Sequence, residues 1–201
     1  MHRPPSIIPA MPERPVPFSL LDAARVVARG GTFDSKLAAL SEQARDATDA
    51  ASVVVLLHDA DGDVLLSLDG ELALPVAAAD ADIARAVADR QPTLISGTPR
   101  SLAGVLAGSA SSLLVPLVVE DEDGAFIEGL LGLGWNAAAP PIDEVPDAIL
   151  AIADLAAVTI RGARLRNSVW EQSDHADRLS HTDRLTGLAN RVTFERMLEL
   201  E

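Results

Sequence analysis

Acidic side chains cluster in two short segments that could hold a metal ion. Asp59, Asp61 and Asp63 alternate along the first segment. A calcium loop of the EF-hand type needs Gly at its sixth position and Glu at its twelfth, whereas Gly62 stands fourth. Asp-Gly between two apolar runs instead predicts a hairpin turn. The acidic run 120–123 is interpreted in the same way, and we expect no metal site.

Histidine and glycine provide two further candidates for chemistry. His58 stands at the end of an apolar run, but His2, His175 and His181 form no convergent ligand set with it. The segment 129–134 contains three glycines, which could suggest a phosphate-binding loop. Its pattern instead predicts a strand, and no helix follows whose N-terminus could bind a phosphate. Small residues there predict close packing, or space beside a pocket. The chain has no Cys, which excludes disulfides and thiolate catalysis.

A denser pattern lies near the end of the chain. The run 183–194 matches D-x-L-T-G-L-x-N-R-x-x-F, and it resembles the opening of a GGDEF domain, the catalytic domain of diguanylate cyclases. From local geometry alone, the run would be a helix that ends at Thr186 and Gly187, followed by a new helix that Asn190 caps. The residues that match the family pattern are Asp183, Leu185, Thr186, Gly187, Leu188, Asn190, Arg191 and Phe194.

The resemblance implies an activity for a domain that the chain only begins. GGDEF domains condense two GTP molecules into cyclic di-GMP, using carboxylates that bind two divalent metal ions such as Mg²⁺. Those groups follow the motif in the family, and the present sequence ends at Glu201. We therefore expect residues 183–201 to be the truncated start of a GGDEF domain. We expect no catalytic residue, no cofactor and no enzymatic activity here; GTP and Mg²⁺ belong to the missing catalytic domain.

Composition limits the partners of the remaining chain. The net charge is −14, and it lies in residues 1–160, since residues 161–201 carry equal numbers of acidic and basic groups. An acidic body argues against nucleic acid or an anionic membrane as partner. The first residues show no cationic segment followed by an apolar run, and no apolar run is long enough to cross a membrane. We therefore expect no signal peptide and a cytoplasmic protein.

The hydrophobic pattern predicts an α+β domain after a flexible, proline-rich tail over residues 1–17. Two helices, the second capped by Asp34, precede a strand hairpin, a helix over 80–90, a short strand, a short helix at 102–106 and a second hairpin. A long helix capped by Asp143 follows. Over residues 18–160 this order resembles a GAF sensor domain, a relative of the PAS sensors, with a mainly antiparallel sheet flanked by helices.

The GAF resemblance implies a site for an unidentified small molecule between the sheet and the helices on one face. The same residues would serve equally well in an ordinary core. Arg100 is the candidate contact for an anionic ligand. The predicted wall consists of Ile83, Val87, Ile95, Leu102, Val105, Val115, Leu117, Leu133 and Trp135.

The last helix carries apolar residues at alternating steps of three and four, which indicates a coiled-coil seam. The apolar residues of the seam are Leu155, Val158, Leu165, Val169 and Leu179. The weaker positions between them are Gly162, Gln172 and Ala176. We expect residues 161–182 to form a signalling helix that pairs in a parallel homodimer. The alternative, one amphipathic helix packed on its own sheet, is expected for residues 143–160.

These observations lead to one main hypothesis. The chain is the regulatory sensor and dimerisation region of a diguanylate cyclase, and it controls cyclic di-GMP synthesis by the missing GGDEF domain. Two alternatives stay open: a dimerisation scaffold that binds no ligand, and an input domain in front of a degenerate GGDEF domain and a phosphodiesterase.

Overall fold

A computed structural model of the 201-residue chain describes residues 20–122, 124–138 and 145–181, with side chains from Leu21 to Trp170. Its helices are α1 (Leu20–Ala28), α2 (Phe33–Thr48), α3 (Ala81–Asp89) and α4 (Asp147–His181). Its strands are β1 (Ser52–Asp59), β2 (Val64–Ser67), β3 (Ala73–Pro75), β4 (Thr93–Ile95), β5 (Ser111–Asp121) and β6 (Gly124–Trp135). Two 3₁₀ segments lie at Val76–Ala78 and Arg100–Leu102.

The strands form one antiparallel sheet in the order β3-β2-β1-β6-β5-β4. The two hairpins predicted from the acidic turns are confirmed, because β1 pairs with β2 and β5 pairs with β6. The central strands are β1 and β6, so the first hairpin and the last one meet in the middle of the sheet. The predicted α+β class with a mainly antiparallel sheet is therefore confirmed.

Each face of the sheet carries its own core. One face packs against α1, α2 and α4 around residues such as Leu40, Leu131 and Ile152. The opposite face packs against α3 and the 3₁₀ segment Arg100–Leu102 around residues such as Leu56 and Leu114. We call these the α4-side core and the α3-side core. Burial on both faces explains why β5 and β6 read as continuous apolar runs.

Two helix starts differ from the sequence prediction. The cap of α2 is Thr32, whose hydroxyl accepts from the Ser35 backbone N–H at 3.2 Å; Asp34 lies in the first turn. Helix α4 begins at Asp147, not at Asp143, which lies outside the described residues. Pro146 accounts for the later start, because a proline disfavours helical geometry in the residue before it.

Strand β6 contains one extra residue. Leu117 pairs with Gly129 and Val118 pairs with Ile127, so Glu128 has no partner across the hairpin. Such a β-bulge bends the strand locally and redirects a side chain. Gly129, next to the bulge, lies so close to β1 that a Cβ would overlap the Leu56 carbonyl. Close packing, predicted for these glycines, is therefore confirmed at this position.

Helix α4 crosses one side of the sheet and extends past it. Its first half contributes fully buried residues, including Ile149, Ile152 and Ile160, to the α4-side core. Within the described residues, no helix combines the length and apolar character that a membrane span requires.

Candidate functional site

The structure divides the predicted ligand wall between the two faces of the sheet. Val115, Leu117, Leu133 and Trp135 belong to the α4-side core. Ile83, Val87, Ile95, Leu102 and Val105 belong to the α3-side core. The nine residues therefore do not line one cavity. The physical reason is the alternation of strand side chains: the odd-numbered residues chosen from β5 and β6 face α4, whereas Leu114 and Leu130 face α3.

Large apolar side chains fill the α3-side core. Ile83, Leu102, Leu114 and Leu130 are all fully buried, and Leu106 is 1% exposed. Leu106 also approaches Gly132, where an added Cβ would lie 3.5 Å from its Cδ1. The region in which the sequence predicted a bound molecule is therefore occupied by the protein's own side chains. Arg100 is exposed at the start of its 3₁₀ segment.

A carboxylate joins α3 to that segment. The Asp80 Oδ2 atom accepts from the Ser101 backbone N–H at 2.8 Å and from the Ser101 hydroxyl at 2.7 Å. The Ser101 hydroxyl, and secondly its N–H, hold the pKa of Asp80 below the usual value. Asp80 precedes the first residue of α3, so its contacts fix the start of that helix beside the segment 100–102.

The bulge residue Glu128 anchors α4 to the sheet. Its side chain is only 1% exposed, and its two oxygens each accept from a different arginine of α4. Oε1 lies 3.1 Å from Arg161 Nη1, and Oε2 lies 2.8 Å from Arg164 Nη1. We call Glu128, Arg161 and Arg164 the α4 anchor. Because a buried charge is costly without partners, the carboxylate fixes where these two turns of α4 can lie.

Each arginine of the anchor makes one further polar contact. Arg161 donates to Asp121 at 2.8 Å, and its guanidinium lies 4.5 Å from the centre of the Phe126 ring. Arg164 donates to the backbone carbonyl of His58. The anchor thus connects α4 to the C-terminal ends of β1 and β5 and to the N-terminal half of β6.

An open cleft of about 340 Å³ lies against the anchor. His58 lines it, with Nε2 at 2.9 Å from Asp63 Oδ1 and with Nδ1 buried without a hydrogen-bond partner. Arg90, at the end of α3, lines the same cleft from the other side of the sheet. The sequence alone does not reveal this site, because its residues come from β1, α3, β6 and α4 and share no local pattern. Of the predicted wall, Val87 lines it.

The acidic turn between β1 and β2 has the predicted hairpin geometry. Asp59 Oδ1 accepts from the Asp61 backbone N–H at 3.3 Å, and Asp63 adopts a positive φ of 47°. Across the residues with described positions, no group of three or more His, Asp or Glu side chains is arranged to hold a metal ion.

Helix α4 also presents an apolar stripe to solvent. Val158, Leu165 and Val169 have exposed fractions of 58%, 56% and 63%. Leu155 instead packs partly against the α4-side core. The predicted seam thus separates into one residue that faces the domain and three exposed ones, which we call the α4 stripe. Leu179 lies outside the residues with described side chains.

The remaining predictions concern residues that the structure does not describe. The proline-rich segment 1–17 and the motif residues Asp183–Phe194 both lie outside the described part of the chain.

Comparison with known proteins identifies the fold. The GAF domain of a phosphoenolpyruvate-protein phosphotransferase from Coxiella burnetii is 14% identical, with a TM-score of 0.60 over 74% of this chain and 94% of that one. Free methionine-R-sulfoxide reductase from Neisseria meningitidis is 21% identical, with a TM-score of 0.56 over 73% and 89%. The second GAF domain of DevS from Mycobacterium smegmatis is 19% identical, with a TM-score of 0.51 over 69% and 99%.

No protein-family model matches the chain, and no curated protein matches it in sequence. The structural similarity shows that the chain has the GAF fold, as its order of helices and strands predicted. At these identities the similarity concerns the fold alone.

Proposed function

We propose that this chain is the regulatory dimerisation region of a diguanylate cyclase. In this proposal the GAF-fold domain holds two copies of α4 side by side. The helices pass the arrangement of the dimer to the GGDEF domains that begin with the motif Asp183–Phe194. The observation that carries the proposal is the α4 stripe, an exposed apolar row on the helix that leads toward the motif.

Each residue of the stripe lies at a coiled-coil spacing from the next. Val158 and Leu165 are seven residues apart, and Val169 follows four residues later. Gly162 stands between them at a position where an added Cβ would meet only Arg166 Nη1, at 3.6 Å. A small residue at that point allows a second helix to approach closely, so the stripe suits another copy of itself better than solvent.

The energy available to the stripe is modest. Full burial of Val or Leu stabilises by about 1.5–3 kcal/mol, so six side chains that are about 60% exposed would contribute roughly 5–11 kcal/mol per dimer. Association costs about 4–15 kcal/mol in lost freedom of motion. The stripe alone therefore supports a weak and reversible dimer, which is suited to regulation because a small change can shift it.

The mass of the chain in solution tests this dimer. We expect a concentration-dependent dimer by light scattering for the unaltered chain, and a monomer for Leu165→Glu, which places a charge in the stripe. Asn167→Glu is the matched control, since it adds the same charge to an exposed residue two positions along α4 and should leave the dimer intact. A monomeric unaltered chain, or equal dimerisation of the two variants, would contradict the proposal.

A fusion tests the link to cyclic di-GMP. Residues 1–182 joined to an intact GGDEF domain should convert GTP to cyclic di-GMP in the presence of Mg²⁺. The fusion with Leu165→Glu should be slower, and the one with Asn167→Glu should not. If the unaltered and Leu165→Glu fusions form cyclic di-GMP at the same rate, α4 does not control the catalytic domain.

The α3-side core favours one alternative over a ligand in the predicted wall. Its large side chains are fully buried against one another, as expected for a dimerisation scaffold that binds no molecule there. We therefore propose that dimerisation does not require a ligand bound in that core. Leu106→Ala would open space there; in the scaffold proposal it lowers thermal stability, while the dimer measured by light scattering persists in the folded protein.

A further inference from the structure

We propose that the cleft beside the α4 anchor binds a small oxyanion, of the kind carried by a carboxylate or a phosphate group. The cleft has a volume of about 340 Å³, within the roughly 300–1,000 Å³ range of small-molecule sites. It shares Val87 with the α3-side core but lies mainly outside it, and the proposal does not depend on dimerisation or on a cyclase.

Three arginine residues line the cleft. Arg161 and Arg164 come from α4, and Arg90 comes from the end of α3. Arg161 and Arg164 share the carboxylate of Glu128, whereas no hydrogen bond or ion pair to the Arg90 side chain is present among the described residues. Arginine binds oxyanions through paired N–H donors, so an anion in the cleft would face donors on two helices.

The backbone at Arg90 is unusual for its residue type. Arg90 has a φ of 54°, in the left-handed region that a side-chain-bearing residue seldom adopts. Glycine would adopt this conformation without strain at the end of a helix. The arginine therefore stands where local geometry prefers another residue.

A histidine also belongs to the wall of the cleft. His58 lines the cleft and is 8% exposed, and its Nδ1 atom has no hydrogen-bond partner. Nε2 of the same ring contacts Asp63. Because Nδ1 is buried, it does not face the open cleft, and the proposal rests on the arginines.

Glu128 opposes the binding of an anion, because it neutralises the same two arginines. An oxyanion in the cleft would compete with this carboxylate for Arg161 and Arg164. Removing the charge of Glu128 should therefore strengthen binding, while removing the charge of Arg90 should weaken it. General attraction to the surface would respond alike to the loss of any positive charge, so the control variant must lose the same charge outside the cleft.

Titration calorimetry with inorganic phosphate, with chloride at matched ionic strength as reference, tests the proposal on the full chain. We expect saturable binding of phosphate. Arg90→Asn should weaken it at least tenfold while tolerating the left-handed backbone, and Arg90→Lys should retain most of it. Arg85→Asn is the control, since Arg85 lies on the same helix and pairs with Asp82 outside the cleft.

The discriminating measurement is the phosphate affinity of Glu128→Gln, taken at a temperature below the Tm of this variant. The variant should bind phosphate several-fold more tightly than the unaltered chain. Acetate and citrate in place of phosphate then report which oxyanion fits. No saturable binding of any of the three anions, equal affinity of Arg90→Asn and Arg85→Asn, or weaker binding by folded Glu128→Gln would each overturn the proposal.

Discussion

Glu128→Gln tests how strongly one buried carboxylate holds α4 to the sheet. The change keeps the shape of the side chain and removes its charge. Each hydrogen bond to a charged group is worth about 1.5–3 kcal/mol, and Glu128 makes two, to Arg161 and to Arg164. The Gln oxygen can still accept from one of the arginines, so about one such bond is lost together with the charge attraction.

The exposure of the arginines sets the upper limit of the effect. Breaking a fully buried ion pair costs about 3–5 kcal/mol. The Arg161 and Arg164 side chains are 28% and 40% exposed, so each can recover water when the carboxylate charge is gone. We therefore expect Glu128→Gln to lower the free energy of unfolding by about 2–3 kcal/mol. For a domain of this size that corresponds to a fall in Tm of roughly 4–12 °C.

Urea denaturation measures this difference without adding salt, which would screen the charges. Glu42→Gln is the matched control, because Glu42 also pairs with an arginine, Arg45, but is 62% exposed. Exposed pairs three residues apart on a helix contribute at most about 0.5 kcal/mol. If the two variants lose the same free energy of unfolding, the α4 anchor contributes no more than an ordinary surface pair, and the reasoning is refuted.

Two further perturbations test the packing of the sheet and the start of α3. Gly129→Ala should destabilise the domain by about 2–3 kcal/mol or more, because its Cβ would overlap the Leu56 backbone. Gly30→Ala is the control and should be tolerated, because no atom lies within 4 Å of the added Cβ. Equal melting temperatures of the two variants would contradict the close approach of Gly129 to β1. Because Ser101 lowers the pKa of Asp80 in the folded state, this contact stabilises the protein above the unfolded pKa and is lost as pH falls through the folded pKa. Asp80→Asn should therefore reduce the loss of stability on acidification, measured as Tm against pH, and an unchanged profile would refute the assignment.

The sequence predicted which helices and strands form better than it predicted which face of the sheet each side chain packs against. Alternation and turn residues such as Gly62 define the hairpins, because a turn signal between two apolar runs is local. Strand β3 was missed, since Ala73–Pro75 is too short to show a period and ends in proline. The ligand wall was assigned across two faces because both sides of β5 and β6 are buried, and uniform burial removes the polar residues that would mark the outside.

The α4 anchor could not have been predicted from the sequence for a different reason. Glu128 is 33 residues from Arg161 and 36 from Arg164. Its position depends on a bulge that no residue type specifies, and charge patterns identify partners only when they share a helix or a hairpin. The apolar spacing of α4, by contrast, is local, and it predicted that Val158, Leu165 and Val169 share a stripe.

The order of the strands has a consequence for how copies of this domain can associate. The outermost strands, β3 and β4, are three residues long each, and β3 ends at Pro75, which has no N–H to donate. Edges this short offer little backbone for another sheet to extend, and natural proteins use such edges to prevent uncontrolled polymerisation. The geometry of the sheet thus disfavours open-ended strand addition, whereas the dimer proposed through α4 would bury a helical surface and close on itself.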